Sequence, residues 1–117
     1  MGVSEPLIQV SLLGEAVENG PTAVFVADEH GQYIAVNPAA CLLLGYDRDE
    51  LLDLKVTDVA RYEAAGVEWA EMRRLGARVG TSRLTRRDGT LVEFSYVAGA
   101  TTVAGMPVFV SVGVPSL

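Results

Sequence analysis

Apolar residues recur at helical spacing near the N-terminus of the chain. Placed at 100° per residue, the apolar side chains of residues 4–19 share one broad face, opposite Ser11, Gly14 and two glutamates. That face comprises Ile8, Val10, Leu12, Leu13, Ala16 and Val17. The pattern predicts an amphipathic helix within residues 1–19, which the Asn19-Gly20-Pro21 sequence ends.

Two short apolar runs, residues 23–28 and 32–36, predict a β-hairpin around the Asp28-Glu29-His30-Gly31 turn sequence. The next stretch, VNPAACLLLGY, has the signals of a short helix over 38–44. Asn37 is suited to the N-cap, Pro38 to the first helical position and Gly45 to the C-terminal end. A second short helix is predicted over 47–52, capped by Asp47 with Glu50 at the capping-box position.

The longest helix is predicted over residues 61–75, where Tyr62, Ala65, Trp69 and Met72 recur at three- and four-residue spacing. Three strands follow, at about 78–86, 90–102 and 106–114, joined by the turn sequences Arg87-Asp88-Gly89 and Val103-Ala104-Gly105. Strands at both ends of the chain with helices between them predict an α+β domain with a mostly antiparallel sheet.

Composition is that of one globular domain. The 117 residues are 50% hydrophobic and 21% charged, and no apolar run approaches the length of a membrane span. A single cysteine excludes an internal disulfide and suits a reducing, cytoplasmic location. Because no apolar run is long enough, we do not expect the chain to associate with a membrane.

Charge is unevenly distributed along the chain. Residues 1–72 carry three basic against thirteen acidic side chains, a net of −10, whereas residues 73–117 carry six arginines against two acids, a net of +4. The arginines are not interleaved with aromatic residues, so we interpret them as a solvated helix end and strand edge and expect no nucleic-acid partner.

Taken in order, these motifs resemble the PAS domain family of sensor modules. The residues that carry the resemblance are VFVADEHGQYIAVNPAACLLLGYDRDELL, VTDVA, RLTRRDGTLVEFSYVAG and the final VFVSVGV strand, over about residues 20–114. The resemblance implies a five-stranded antiparallel sheet with short helices on one face, in a PAS domain over 20–117 preceded by the N-terminal helix of residues 1–19. It further implies attachment to an output domain or partner such as a kinase, a cyclic-nucleotide enzyme or a transcription regulator.

The residues that cofactor-binding members of the family use are not found at the matching positions of this sequence. Haem-binding members use a histidine on the long helix, but the single histidine, His30, lies in a turn. Flavin and cinnamate-type members need a cysteine later in the chain than Cys41, so we expect no cofactor and interpret Cys41 as a buried, inert thiol. No metal-spaced cluster and no catalytic motif is present in the sequence, which predicts a non-enzyme.

A ligand pocket, if there is one, is predicted to be apolar, without the cluster of basic and hydroxyl residues that citrate-type members use. It would take a small apolar or lipid-like molecule, with Tyr96 and Asn37 as polar anchors. The predicted lining is Val24, Val26, Asn37, Cys41, Leu44, Trp69, Met72, Phe94, Tyr96, Val110 and Val112. This strand parity assumes that even-numbered residues of the last two strands face the helices.

The same parity leaves an apolar outer sheet face, which predicts a homodimer with the N-terminal helix as part of the contact. The predicted interface residues are Ile8, Leu12, Leu13, Ala16, Val17, Phe25, Val97 and Phe109. Two functions are therefore open: a sensor that relays ligand binding through dimer geometry, or a ligand-free module that serves only dimerisation and protein–protein contact.

Overall fold

The computed structural model describes residues 2–61 and 65–116. Its elements are α1 (Pro6–Asn19), β1 (Ala23–Asp28), β2 (Tyr33–Val36), α2 (Pro38–Leu44), α3 (Arg48–Leu52), α4 (Val56–Val59), α5 (Ala65–Leu75), β3 (Ala77–Thr85), β4 (Leu91–Val103) and β5 (Met106–Pro115). The strands form one antiparallel sheet in the order β2-β1-β5-β4-β3. The predicted α+β architecture is confirmed.

Short helices begin and end at the residues that the sequence indicates. The Asn37 side chain accepts a hydrogen bond from the Ala40 N–H, and Gly45 ends α2 with φ +78°, a conformation that favours glycine. Asp47 and Glu50 form the predicted capping box of α3. The first residues of the predicted 61–75 helix, 62–64 and with them Tyr62, lie outside the described residues.

Asn37 also joins three elements of the fold. Its Oδ1 accepts hydrogen bonds from the Val24 and Ala40 N–H groups, at 3.0 and 3.1 Å. Its Nδ2 donates to the carbonyl oxygens of Val17, at 2.7 Å, and Thr22, at 2.8 Å. Asn37 is only 3% exposed, so these four bonds satisfy a buried amide completely and tie the last turn of α1 to β1 and α2.

The core lies between the helices and one face of the sheet. Leu44, Leu51 and Val59, one from each short helix, are fully buried there. They pack with the β1 and β4 side chains Phe25 and Phe94, whose rings meet edge to face at 5.8 Å. This inner face of the sheet therefore carries both the core and the cavity described next.

Candidate ligand cavity

A cavity of about 100 Å³ lies between the inner face of the sheet and helices α4 and α5. Most of its wall is apolar. It is lined by Phe25, Ala27, Tyr33, Val56, Ala60, Trp69, Met72, Arg78, Ser82, Leu84, Phe94, Tyr96, Ala98, Phe109, Val110 and Ser111.

Strand register explains one wall of the cavity. Arg78, Ala98, Ser111 and Phe25 lie side by side across β3, β4, β5 and β1, and we call them the cavity row. Residues paired across an antiparallel sheet share a face. The methyl group of Ala98 therefore separates two polar side chains, Arg78 and Ser111, at its centre.

Aromatic rings enclose the rest of the space. Tyr33 lies 5.5 Å from Phe25, and Trp69 on α5 meets Phe109 on β5 edge to face at 5.2 Å, measured between ring centroids. The indole of Trp69 also borders the β1–β2 turn, where a Cβ added at Gly31 would lie 3.5 Å from the ring. Trp69 thus holds α5 against the sheet and the hairpin turn.

One arginine carries a charge at the cavity wall. The Arg78 Nε donates to the Tyr96 hydroxyl at 2.8 Å, and its Nη1 donates to the Glu71 carboxylate at 2.6 Å. Arg78 is half-buried, while the Glu71 side chain is 45% exposed on α5. This ion pair joins α5 to the sheet across the rim of the cavity.

Two serine hydroxyl groups also border the cavity. Ser82 is buried, and Ser111 is half-buried in the cavity row. No described residue hydrogen-bonds the Ser111 hydroxyl. Among the described residues, every fully buried side-chain nitrogen or oxygen atom has a hydrogen-bond partner. Because the Ser111 hydroxyl has none, it is not fully buried and is accessible from the cavity.

Tyr33 adds a further hydroxyl near the hairpin. Burial raises the pKa of Tyr33 well above its usual value, and the negative charge of Asp58 raises it further. The phenol is therefore neutral at any physiological pH and is available only as a neutral hydrogen-bonding group.

Five of the eleven residues predicted to line a pocket border this cavity. They are Trp69, Met72, Phe94, Tyr96 and Val110. The Asn37 side chain is instead used in joining α1, β1 and α2, and Leu44 is buried in the core. The prediction that Asn37 anchors a ligand in this cavity is therefore wrong.

Strand parity was predicted wrongly for β1 and β5. The sequence pattern predicts Phe25 and Phe109 on the outer face, but both line the cavity, whereas Val24, Val26 and Val112 lie on the other face. Both faces of these strands are apolar, so alternation of polar and apolar residues does not distinguish them.

The expected absence of a basic and hydroxyl cluster is also overturned. Arg78, Ser82, Tyr96 and Ser111 all border the cavity. The sequence pattern predicts Arg78 in a solvated group of arginines. Arg78 faces the cavity because it pairs with Ala98, which lies on the same face of β4 as Tyr96. The sequence of β3 alone does not indicate this pairing.

The two residues weighed for cofactor chemistry lie away from the cavity. Cys41 packs against the core from α2, and burial raises the pKa of its thiol. His30 is exposed in the hairpin turn beside Glu29. No cluster of three or more metal-ligating side chains occurs in residues 2–61 and 65–116 that are described.

The outer sheet face is apolar, as predicted, and Val97 lies on it as expected, whereas Phe25 and Phe109 do not. Val24, Val112, Val97 and Val79 lie in register across four strands, and we call them the valine row. Val97 is 59% exposed and Val79 is 76% exposed. Helix α1 does not cover this face, since none of its residues is buried and Leu13 is 65% exposed.

Comparison with known proteins decides the family. The family model described as "PAS domain" matches residues 21–112 of the 117. The chain belongs to the PAS domain family. PAS domains are in general signal-sensing modules rather than catalytic ones, and no curated protein matches this PAS domain in sequence.

Solved PAS structures share its fold at low sequence identity. A PAS domain from a two-component sensor histidine kinase has a TM-score of 0.81 at 16% identity, covering 96% of this chain and all of its own. The PAS domain of an HTR-like protein from Haloarcula marismortui has a TM-score of 0.78 at 23% identity, with 95% of each chain covered.

An RNA-binding light-oxygen-voltage receptor is similar over 97% of this chain but only 35% of its own, with a TM-score of 0.82 at 17% identity. At these identities the likeness establishes the PAS fold. In the described part of the chain no helix is long and apolar enough to cross a membrane.

Proposed function

We propose that this PAS domain is the sensing unit of a larger cytoplasmic regulatory protein, that it binds a small, mostly apolar ligand in the cavity, and that it relays binding through dimer geometry. The observation that carries the proposal is an apolar cavity with a few convergent polar groups on the inner sheet face, the usual form of a small-molecule site.

The size of the cavity limits the ligand. Its volume of about 100 Å³ is smaller than the roughly 150 Å³ engineered cavity that holds benzene, and far below the roughly 300–1,000 Å³ of drug-sized sites. The ligand therefore has a body of at most one ring or a few carbon atoms. A haem or a flavin exceeds this space, which supports the expectation that neither binds. A lipid chain exceeds it as well, so the lipid-like ligand expected from the sequence is not part of this proposal.

Organic extraction of the purified protein tests whether a ligand exists. We expect chromatography and mass spectrometry of the extract to show one small molecule at near-stoichiometric amount, and the visible absorption spectrum to be featureless. A haem or flavin spectrum would contradict the proposed ligand class. Extracts identical to a buffer blank, together with no binding from a panel of one-ring compounds, would contradict sensing.

Coupling from cavity to surface has a direct route in the sheet. Each member of the cavity row is the sequence neighbour of a member of the valine row, as in Ser111 and Val112 or Ala98 and Val97. A ligand that twists these strands moves both faces together. Such a relay needs different ligand affinities in the two arrangements of the dimer.

A second route leads to α1. Phe25 lines the cavity, and the N–H of its neighbour Val24 is held by Asn37, which also holds the Val17 carbonyl. The Arg48–Glu18 ion pair, at 2.7 Å, fixes the same last turn of α1. Movement of β1 is thereby transmitted to the helix.

The exposure of α1 and of the outer sheet face supports dimerisation through both. An apolar row across four strands, together with an exposed apolar helix, favours a self-complementary contact with a second copy. The finding that Phe25 and Phe109 point inward moves the proposed contact to the valine row, together with Ile8, Leu12, Leu13, Ala16 and Val17.

Light scattering of point variants tests this contact. We expect Val97→Glu and Leu13→Glu each to shift the mass toward the 12.4 kDa of one chain, because a buried unpaired charge is costly in an apolar interface. Val103→Glu, at an equally exposed valine near the tip of the β4–β5 hairpin, is the matched control. A dimer unaffected by both variants would contradict the proposed contact.

The alternative function is a ligand-free dimerisation module. The exposed valine row and α1 support it, since they need no ligand to form an interface. Both functions require that the domain is attached to an output domain. The likeness to the PAS domain of a sensor histidine kinase supports such an attachment. A kinase, a cyclic-nucleotide enzyme or a transcription regulator would each suit either function.

A further inference from the structure

Resting on the proposed sensing function, we infer that the ligand is a compact monocarboxylate whose carboxylate is bound by Arg78 in place of Glu71 and whose apolar body lies over Ala98 toward Ser111.

Arg78 carries a positive charge at a mostly apolar wall. A guanidinium held at a mostly apolar wall needs an anion, because an unpaired charge is strongly disfavoured away from water. Glu71 on α5 supplies such an anion at 2.6 Å, on a side chain that is 45% exposed. A ligand carboxylate that accepts from Nη1 in place of Glu71 would maintain this charge pairing from inside the cavity, through a charge-assisted hydrogen bond.

The spacing of the strands sets the length of the space beside Arg78. Arg78 and Ser111 flank Ala98 on adjacent strands, so their Cα atoms are about 10 Å apart, two strand spacings. Only a methyl group rises between them, and the Ser111 hydroxyl has no partner among the described residues. The gap suits one ring or a short branched chain, with a polar group tolerated at the Ser111 end.

Ligand binding at Arg78 would act as a switch. If the ligand takes Nη1 of Arg78 from Glu71, the Arg78–Glu71 ion pair between the sheet and α5 is lost. Helix α5 also carries Trp69, which borders the β1–β2 turn. Anion binding would therefore loosen α5, and by reciprocity the Glu71 carboxylate competes with the ligand.

Calorimetric titration with benzoate tests the inference, with benzamide as its neutral counterpart of similar shape. We expect benzoate to bind at least tenfold more tightly than benzamide, since a hydrogen-bonded charge contributes more than a neutral group. Arg78→Gln should weaken benzoate about tenfold or more. Glu71→Gln should tighten benzoate about threefold or more, because a competing carboxylate is removed.

The control is Arg74→Gln, which removes an equal charge from the exposed end of α5 and should leave benzoate binding unchanged. If Arg78→Gln does not fold, the Glu71→Gln variant and the benzoate–benzamide comparison still decide the matter. Binding of benzamide equal to that of benzoate, or benzoate binding that Glu71→Gln weakens, would overturn the inference but leave a ligand-binding sensor intact. No binding by either probe, with a neutral molecule in the organic extract, would do the same.

Discussion

Asn37 offers the most quantitative test of how the fold is held together. Replacement by alanine removes four side-chain hydrogen bonds at a residue that is 3% exposed. Loss of the N-cap bond costs about 1 kcal/mol, and each of the other three leaves a partner unsatisfied at about 1 kcal/mol or more. We expect the free energy of unfolding to fall by about 3–5 kcal/mol, a large share of the stability of a small domain.

Urea denaturation followed by Trp69 fluorescence measures this change, since Trp69 is the single tryptophan. Asn19→Ala, at an exposed asparagine at the end of α1, is the matched control and should change stability by less than about 0.5 kcal/mol.

Asn37→Asp separates the hydrogen bonds that the side chain accepts from those that it donates. The carboxylate still accepts from the Val24 and Ala40 N–H groups, but it presents an oxygen to the Val17 and Thr22 carbonyls. We expect an intermediate loss that decreases as the pH falls, because a protonated carboxyl can donate to one of those carbonyls. A loss below about 1 kcal/mol for Asn37→Ala would refute the reasoning that Asn37 joins α1 to the core.

Three further predictions concern single residues. Gly45→Ala should destabilise the fold by about 1 kcal/mol because φ is +78°. Gly14→Ala in α1, where a Cβ meets nothing within 4 Å, should leave stability unchanged or raise it. Equal melting temperatures for the two variants would contradict this. Ser111→Ala should be neutral in urea denaturation, whereas Ser95→Ala should cost about 1 kcal/mol through loss of its bond to Ser116; a larger cost at Ser111 would mean that its hydroxyl is bonded. Burial raises the pKa of Cys41, so the thiolate fraction is low below that pKa and increases as pH rises through it. Thiol labelling of the folded protein should therefore be slow at pH 8 and faster at higher pH, and labelling in urea should be immediate. Immediate labelling of the folded form at pH 8 would contradict this.

Much of the fold was predictable from local signals. Capping residues such as Asn37 and Asp47, and a left-handed glycine at 45, act within one turn of chain, so the sequence pattern reports them directly. The order of those signals also indicated the PAS family, which the family match confirms.

The cavity was less predictable because it depends on register between distant strands. Phe25 and Phe109 are 84 positions apart and face the same space only because β1 pairs with β5. Arg78 looks like one more surface arginine until its pairing with Ala98 places it at the cavity. In β1 and β5 both faces are apolar, so neither strand reveals which face is inward.

Native mass spectrometry of three proteins tests most directly that the cavity is the ligand site: the wild type, Ala98→Leu and the control Ala100→Leu, which is exposed two residues further along β4. Leucine at position 98 adds three carbon atoms to a space of about 100 Å³ and should displace a small ligand while the fold persists. We predict that the wild type and Ala100→Leu carry the same small bound mass and that Ala98→Leu carries none. A bound mass that survives in folded Ala98→Leu would contradict the assignment of the cavity as the ligand site.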